Sequence, residues 1–195
     1  MKELFKESIK VKQLILESDC IDTLTQIGDD LVEVIKSGNK IMLCGNGGAA
    51  ADAQHLAAEM LVRLRPKNNR AGLPAISLAQ DPSTITACGN DFGYDKLFER
   101  MVESLGKKGD ALIAITTSGN SENVILAMKL ARKMGIKVFA FLGSGGGDAL
   151  DLSDAAFLVP SSNTGRIQEA HITAGHAIME HIEDKLIDEG YLSIQ

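Results

Sequence analysis

From Lys2 to about Ser37, apolar residues recur at intervals of three and four: Leu4, Phe5, Ile9, Val11, Leu14 and Ile15, then again from Ile21 to Ile35. That spacing predicts two amphipathic helices. The glycine in "SGN" (37–39) marks their end. The pattern then changes. "KIMLCG" (40–45), "PAISL" (74–78), "ALIAIT" (111–116), "KVFAFL" (137–142) and "AAFLVP" (155–160) are short apolar runs with almost no alternation. Runs of that kind belong to strands covered on both faces. Helical spacing returns between them at 48–64, 82–105 and 120–134, with a break expected at "GNDFG", and a last helix runs from about Thr164 to Asp188. Strands alternating with helices imply right-handed crossovers and a parallel sheet. The expected fold is α/β, a three-layer sandwich with a central five-stranded parallel sheet of flavodoxin-like type, preceded by N-terminal helices. It is expected to form one domain over residues 1–195. The helices of 1–37 have apolar faces to bury, against the domain or against another subunit.

Composition narrows the class of partner. With 45% hydrophobic and 24% charged residues the chain has ordinary globular content. A formal net charge of −6 argues against nucleic acid, whose phosphates attract basic faces. No run approaches the roughly 20 apolar residues of a membrane span, and the first residues lack a signal peptide's apolar centre. Cys20, Cys44 and Cys88 are too widely spaced for a disulfide framework or metal pair, which points to a reducing compartment and a cytoplasmic location.

In parallel sheets ligands bind beyond the carboxyl ends of the strands, so two loops matter. "TTSGNS" (116–121) places hydroxyls between the third strand and a helix that Asn120 or Ser121 would cap. The positive helix end together with Thr116, Thr117 and Ser118 makes an anion site without a lysine. "GNGGAA" (45–50) has Gly45, Gly47 and Ala50 in the G-x-G-x-x-A spacing of a dinucleotide turn. That fingerprint needs an acidic residue about 20 positions on, and the candidate here, Asp81, comes more than 30 residues after Gly47. The turn reads better as backbone brought close to another ligand.

The helix after this turn carries His55 and Glu59 four residues apart and therefore on one face, with Asp52 and Arg63 one turn to either side. A solvated charged stripe would also look like this. The last helix holds three of the four histidines, His171, His176 and His181, and starts with Arg166, Gln168 and Glu169. Gln168 and His176 can border one cleft, with Gly175 opening space between them, while His181 reads as exposed. Together His55, Glu59, Gln168 and His176 would make either an acid/base pair with supporting donors or a zinc site. Spacing alone does not bring the two helices together. The basic stretch "RLRPKNNR" (63–70) reads as a solvated loop.

In this order, "CGNGGAAADAQHLAAEM" (44–60), "GNDFG" (89–93), "TTSGNS" (116–121) and "RIQEAHITAGH" (166–176) resemble the phosphoheptose isomerases of the sugar isomerase (SIS) fold family, over nearly the whole chain. The resemblance implies a cytoplasmic homotetramer converting sedoheptulose 7-phosphate to D-glycero-D-manno-heptose 7-phosphate, toward bacterial lipopolysaccharide core. It implies Glu59 and His176 as acid and base. Asn46, Gly47, Gly48, Glu59, Asn90, Asp91, Thr116, Thr117, Ser118, Ser121 and Gln168 would contact the substrate. One zinc per subunit would sit on His55, Glu59, Gln168 and His176. Two positions depart from the family: Ala49, often serine, whose hydroxyl would lie near the substrate, and Gly165, often a residue with a side chain. Some relatives are adaptors that bind the replication initiator and lack the catalytic glutamate and histidine. This chain keeps both.

Overall fold

The computed structural model describes residues 1–194. The five apolar runs become β1 (Ile41–Gly45), β2 (Ala75–Ser77), β3 (Ala111–Thr116), β4 (Lys137–Leu142) and β5 (Ala155–Leu158), all parallel, in the order β2-β1-β3-β4-β5. The helices are α1 (Lys2–Leu16), α2 (Cys20–Lys36), α3 (Gly48–Leu61), α4 (Pro82–Asp91), α5 (Leu97–Leu105), α6 (Glu122–Lys133), α7 (Gly147–Leu150) and α8 (Thr164–Asp188), with a 3-10 turn at Tyr94–Lys96. The break expected at "GNDFG" is the junction of α4 with that turn. Capping is local and readable: Asp81 accepts from the N–H groups of Ser83 and Thr84 ahead of α4, and Asn163 accepts from Gly165 and Arg166 ahead of α8.

Continuous apolar strands have a direct cause here. Ile41 and Leu43 enter one core with residues of α2, α3 and α8, while Met42 and Cys44 enter the other with residues of α5 and α6. Both faces are dry, so alternation would leave a polar side chain buried. Cys44, beneath the glycine turn, has its thiol pushed up to about 12 by burial, which removes it as a nucleophile. Leu4, Phe5, Ile9 and Leu16 of α1 remain exposed. An apolar cavity of about 250 Å³ lies between α1, α2 and α8, lined by Ile15, Leu24, Phe157 and Ala174 among others.

The last helix keeps a histidine in the core. His171 is 1% exposed, with the rings of Phe141 and Phe157 5.8 and 6.3 Å away. Its Nε2 lies 3.2 Å from the carbonyl oxygen of Leu142, and Nδ1 is buried without a partner among the described residues. Burial pushes its pKa down to about 4, only partly opposed by that carbonyl. The unfolded chain binds this proton near the ordinary histidine value of 6.5. His171 therefore supports the fold fully above 6.5, and this contribution is lost as pH falls toward about 4. The whole effect is about 3 kcal/mol. Denaturant unfolding of metal-free protein at neutral and mildly acidic pH should show wild type losing more stability than His171→Gln, by about 2 kcal/mol. Equal losses would show that His171 takes up its proton in the folded state.

Candidate active site

The glycine turn after β1 is built for close approach. Gly47 has φ +59°, a conformation that favours glycine, and a Cβ at Gly48 would stand 2.6 Å from Nε2 of Gln168. The turn therefore receives the amide of α8 directly on its backbone. Asn46 is committed to structure: its Nδ2 donates to Oδ1 of Asn123 at 2.8 Å, and its own Oδ1 accepts from Asn123 Nδ2 at 2.9 Å and from the Tyr94 hydroxyl at 2.7 Å. This reciprocal amide pair locks the β1 turn to the first turn of α6. Asn123, 3% exposed, was not legible as a site residue because its partner is 77 positions away.

The hydroxyl loop sits at the other side of that lock. Ser121 occupies the N-cap position of α6, yet its hydroxyl makes no capping bond and instead faces the Thr116 hydroxyl at 3.3 Å. The first turn of α6 thus has no side-chain cap competing with an incoming anion. Ser118 is exposed and its Oγ accepts from the N–H of Asn120; Thr117 is half-buried beside it. From behind, the N–H of Gly143 donates to the Thr117 carbonyl and the N–H of Asp148 to Oδ1 of Asn120. The loop is held in one shape.

Along α3 and α8 the sequence pairs that spacing could not join do meet. A Cβ at Gly175 would stand 2.6 and 2.7 Å from the two methyl carbons of Leu56, so this glycine does not open space in a cleft. Leu56 fills the space, and the two helices close on each other. With Gly48 against Gln168 at one end and Leu56 against Gly175 further on, the helices run alongside in the same direction. His55 and His176 then face each other with Nε2 atoms 2.8 Å apart, and Glu59 Oε1 lies 3.5 Å from His55 Nε2. Ligand atoms of His55, Glu59 and His176 all lie within 4.8 Å of one another. Two imidazole nitrogens and a carboxylate oxygen suit zinc, and tetrahedral bonds of about 2 Å would set ligand atoms roughly 3.3 Å apart, so the trio fits with a small opening of the histidine pair. The amide of Gln168 rests on Gly48 at the start of α3, beside the glycine turn.

Asp52, one turn before His55, belongs to the same neighbourhood. Its Oδ2 is buried without a hydrogen-bond partner among the described residues. Burial pushes its carboxyl up, against the pull of His55 and His176. It is a counter-charge for either imidazole when protonated.

The remaining residues singled out from sequence fall in several places. Asn90 and Asp91 are exposed at the end of α4, where Asn90 donates to Asp91. Asp91 lines a separate surface cavity with Thr84, Cys88, Phe92 and Arg100. Within one chain they are not hydrogen-bonded to the trio. His181 is half-buried, not exposed, and bonds Oδ1 of Asp29 at 2.8 Å, joining α8 to α2. The stretch 63–70 is not simply a solvated loop. Asn68 and Arg70 are each 8% exposed and both bond Glu183 of α8. Ala49 is buried in the core, where a Cβ at Gly45 would stand 2.7 Å from its own Cβ. Gly165 is different: only Asn163 Oδ1, at 3.4 Å, comes near an added Cβ, and a side chain has room.

A doubly wound parallel sheet, a hydroxyl loop at a strand mouth and a His/Glu/His cluster between two helices define a sugar-phosphate isomerase type of fold and site. Residues 5–143 match the SIS domain. A phosphoheptose isomerase of Clostridium acetobutylicum is 45% identical over 94% of this chain and 93% of its own length. One of Aquifex aeolicus is 45% identical over 96% and 97%. Among solved structures, phosphoheptose isomerase GmhA from Neisseria gonorrhoeae has a TM-score of 0.88 at 39% identity, covering 94% of this chain and 96% of that one. A Francisella tularensis phosphoheptose isomerase has a TM-score of 0.89 at 34% identity over the same shares. This chain belongs to the phosphoheptose isomerase family of SIS-domain proteins.

Proposed function

We propose that this protein interconverts sedoheptulose 7-phosphate and D-glycero-D-manno-heptose 7-phosphate, the first step toward ADP-heptose and lipopolysaccharide core. The meeting of His55, Glu59 and His176 across two helices carries this reading. Aldose–ketose isomerisation moves a proton between C1 and C2 through an enediol or enediolate and needs a base, an acid and help for the developing oxyanion. In this reading Glu59 and His176 share the proton traffic. The hydroxyls of Thr116, Thr117, Ser118 and Ser121 with the first turn of α6 hold the phosphate, while Gly47, Gly48, Gln168, Asn90 and Asp91 orient the sugar.

Zinc, one per subunit, is proposed on His55, Glu59 and His176 with Gln168 turning in as the fourth ligand; when bound it would polarise the substrate carbonyl. Ligation and proton transfer then draw on the same Glu59 and His176, so one of them must be released or act from the edge of the coordination sphere. Self-association as a homotetramer would cover Leu4, Phe5, Ile9 and Leu16 of α1, whose exposure supports it. A cytoplasmic location accords with the free cysteines, and no helix among the described residues is long and apolar enough to cross a membrane.

Purified protein should turn over sedoheptulose 7-phosphate, and Glu59→Gln should lower kcat by about 10²–10⁴-fold with the oligomer unchanged by light scattering. Full activity in that variant would remove Glu59 from the chemistry. Ser121→Ala leaves the helix without losing a capping bond, so it should raise KM by about tenfold or more with kcat nearly constant, the scale of a hydrogen bond to a charged group. An unchanged KM would move the phosphate elsewhere.

A further inference from the structure

Beyond the trio, α8 directs one more charge inward. Glu183 follows His176 by seven residues, nearly two full turns, and so lies on almost the same face. Its side chain is 2% exposed, and three donors converge on it: Arg65 Nε at 2.6 Å, Arg70 Nε at 2.6 Å and Asn68 Nδ2 at 2.7 Å. A carboxylate this far from water persists only when donors fill its lone pairs. Burial alone would raise its pKa, but the hydrogen bonds from Asn68, Arg70 and Arg65 outweigh it and hold the group below the usual carboxylate range.

Arg70 directs the rest of its guanidinium at backbone. Nη2 donates to the carbonyl of Glu59 at 3.0 Å, and Nη1 to those of Met60 and Ala71, each at 3.0 Å. Glu59 and Met60 lie in the last turn of α3, where carbonyls lack intrahelical partners. One planar group thus ties a carboxylate of α8 to the backbone of the residue whose side chain stands 3.5 Å from His55. Arg65 touches the same carboxylate but otherwise, among the described residues, reaches Asp184 and the carbonyl and carboxylate of Glu180, all on α8.

We propose that Arg70, anchored by Glu183, is a positioning residue that fixes the last turn of α3 against α8 and so sets the place of Glu59 relative to His55 and His176. This rests on the reading of the trio as the reaction and metal site. A lysine at position 70 keeps the charge beside Glu183 but cannot serve the carboxylate and two carbonyls with one rigid fork. Arg65→Lys weakens the same anchor without touching α3.

The full-length protein decides between positioning and general support. Zinc dissociation constants of metal-stripped wild type, Arg70→Lys and Arg65→Lys would be measured by chelator competition, with kcat, KM and Tm alongside. Arg70→Lys should weaken zinc and lower kcat by about tenfold or more, the scale of losing a partner behind a metal ligand, with KM nearly unchanged. Arg65→Lys should stay close to wild type in zinc affinity and kcat whatever its Tm. Equal losses in the two variants, or wild-type zinc affinity and kcat in Arg70→Lys, would overturn the proposal. Glu183→Gln keeps an acceptor and the side-chain shape, and carries the same expectation should Arg70→Lys not fold. Wild type lacking turnover would sink the substrate reading, while the zinc comparison would still decide the positioning role.

Discussion

The close contact between α3 and α8 is the constraint from which the site follows. Polar side chains on two helices reach hydrogen-bond distance only if the backbones approach closely, and a β-carbon at the crossing prevents that. Gly175 removes it, and Leu56 occupies the space. A glycine inside a helix costs about 1 kcal/mol relative to alanine. Here the cost is offset by packing that sets His176 against His55. Gly48 does the same at the start of α3, where it admits the amide of Gln168. Small residues continue along α3: Ala53 and Ala57 are buried in the core that α3 shares with α8.

Around that contact the polar network divides between holding and acting. Asn46, Asn123 and Tyr94 satisfy one another, so the glycine turn and the hydroxyl loop share one rigid footing. Asp81 and Asn163 close the starts of α4 and α8 with their own side chains. Ser121, by contrast, stands at a cap position without capping, and Asp52 keeps a buried oxygen unpaired beside two imidazoles. A buried polar oxygen without a partner among the described residues is where an incoming donor gains most, and Asp52 offers one next to His55.

Much of the fold was legible because both sheet faces are dry: an apolar run such as "ALIAIT" has no alternative to a covered strand. The helix expected over 48–64 stops at Leu61 because Val62–Arg70 turns back to meet Glu183, a partner 113 residues from Arg70. That distance also hid Asn123 and made "RLRPKNNR" look solvated. Local pattern reports what each helix buries; it does not report which other helix lies there. His55 and His176, 121 positions apart, were joined on paper only by family resemblance. The sequence marks Gly175 as a place where space matters, and the structure reverses the sign: the glycine lets Leu56 close the two helices together. Position 49 is buried in the core, a setting that its place in the glycine turn does not display.

Proton NMR of sedoheptulose 7-phosphate incubated in D₂O with the purified protein tests the central claim most directly, namely that the α3–α8 contact assembles a proton-transfer site for a phosphorylated ketose. The account predicts the aldose heptose 7-phosphate carrying deuterium at C2, because a proton held on Glu59 or His176 exchanges with solvent. Aldose formed with protium at C2 would contradict a proton carrier that exchanges with solvent during turnover, and no aldose at all would contradict the assignment of the substrate.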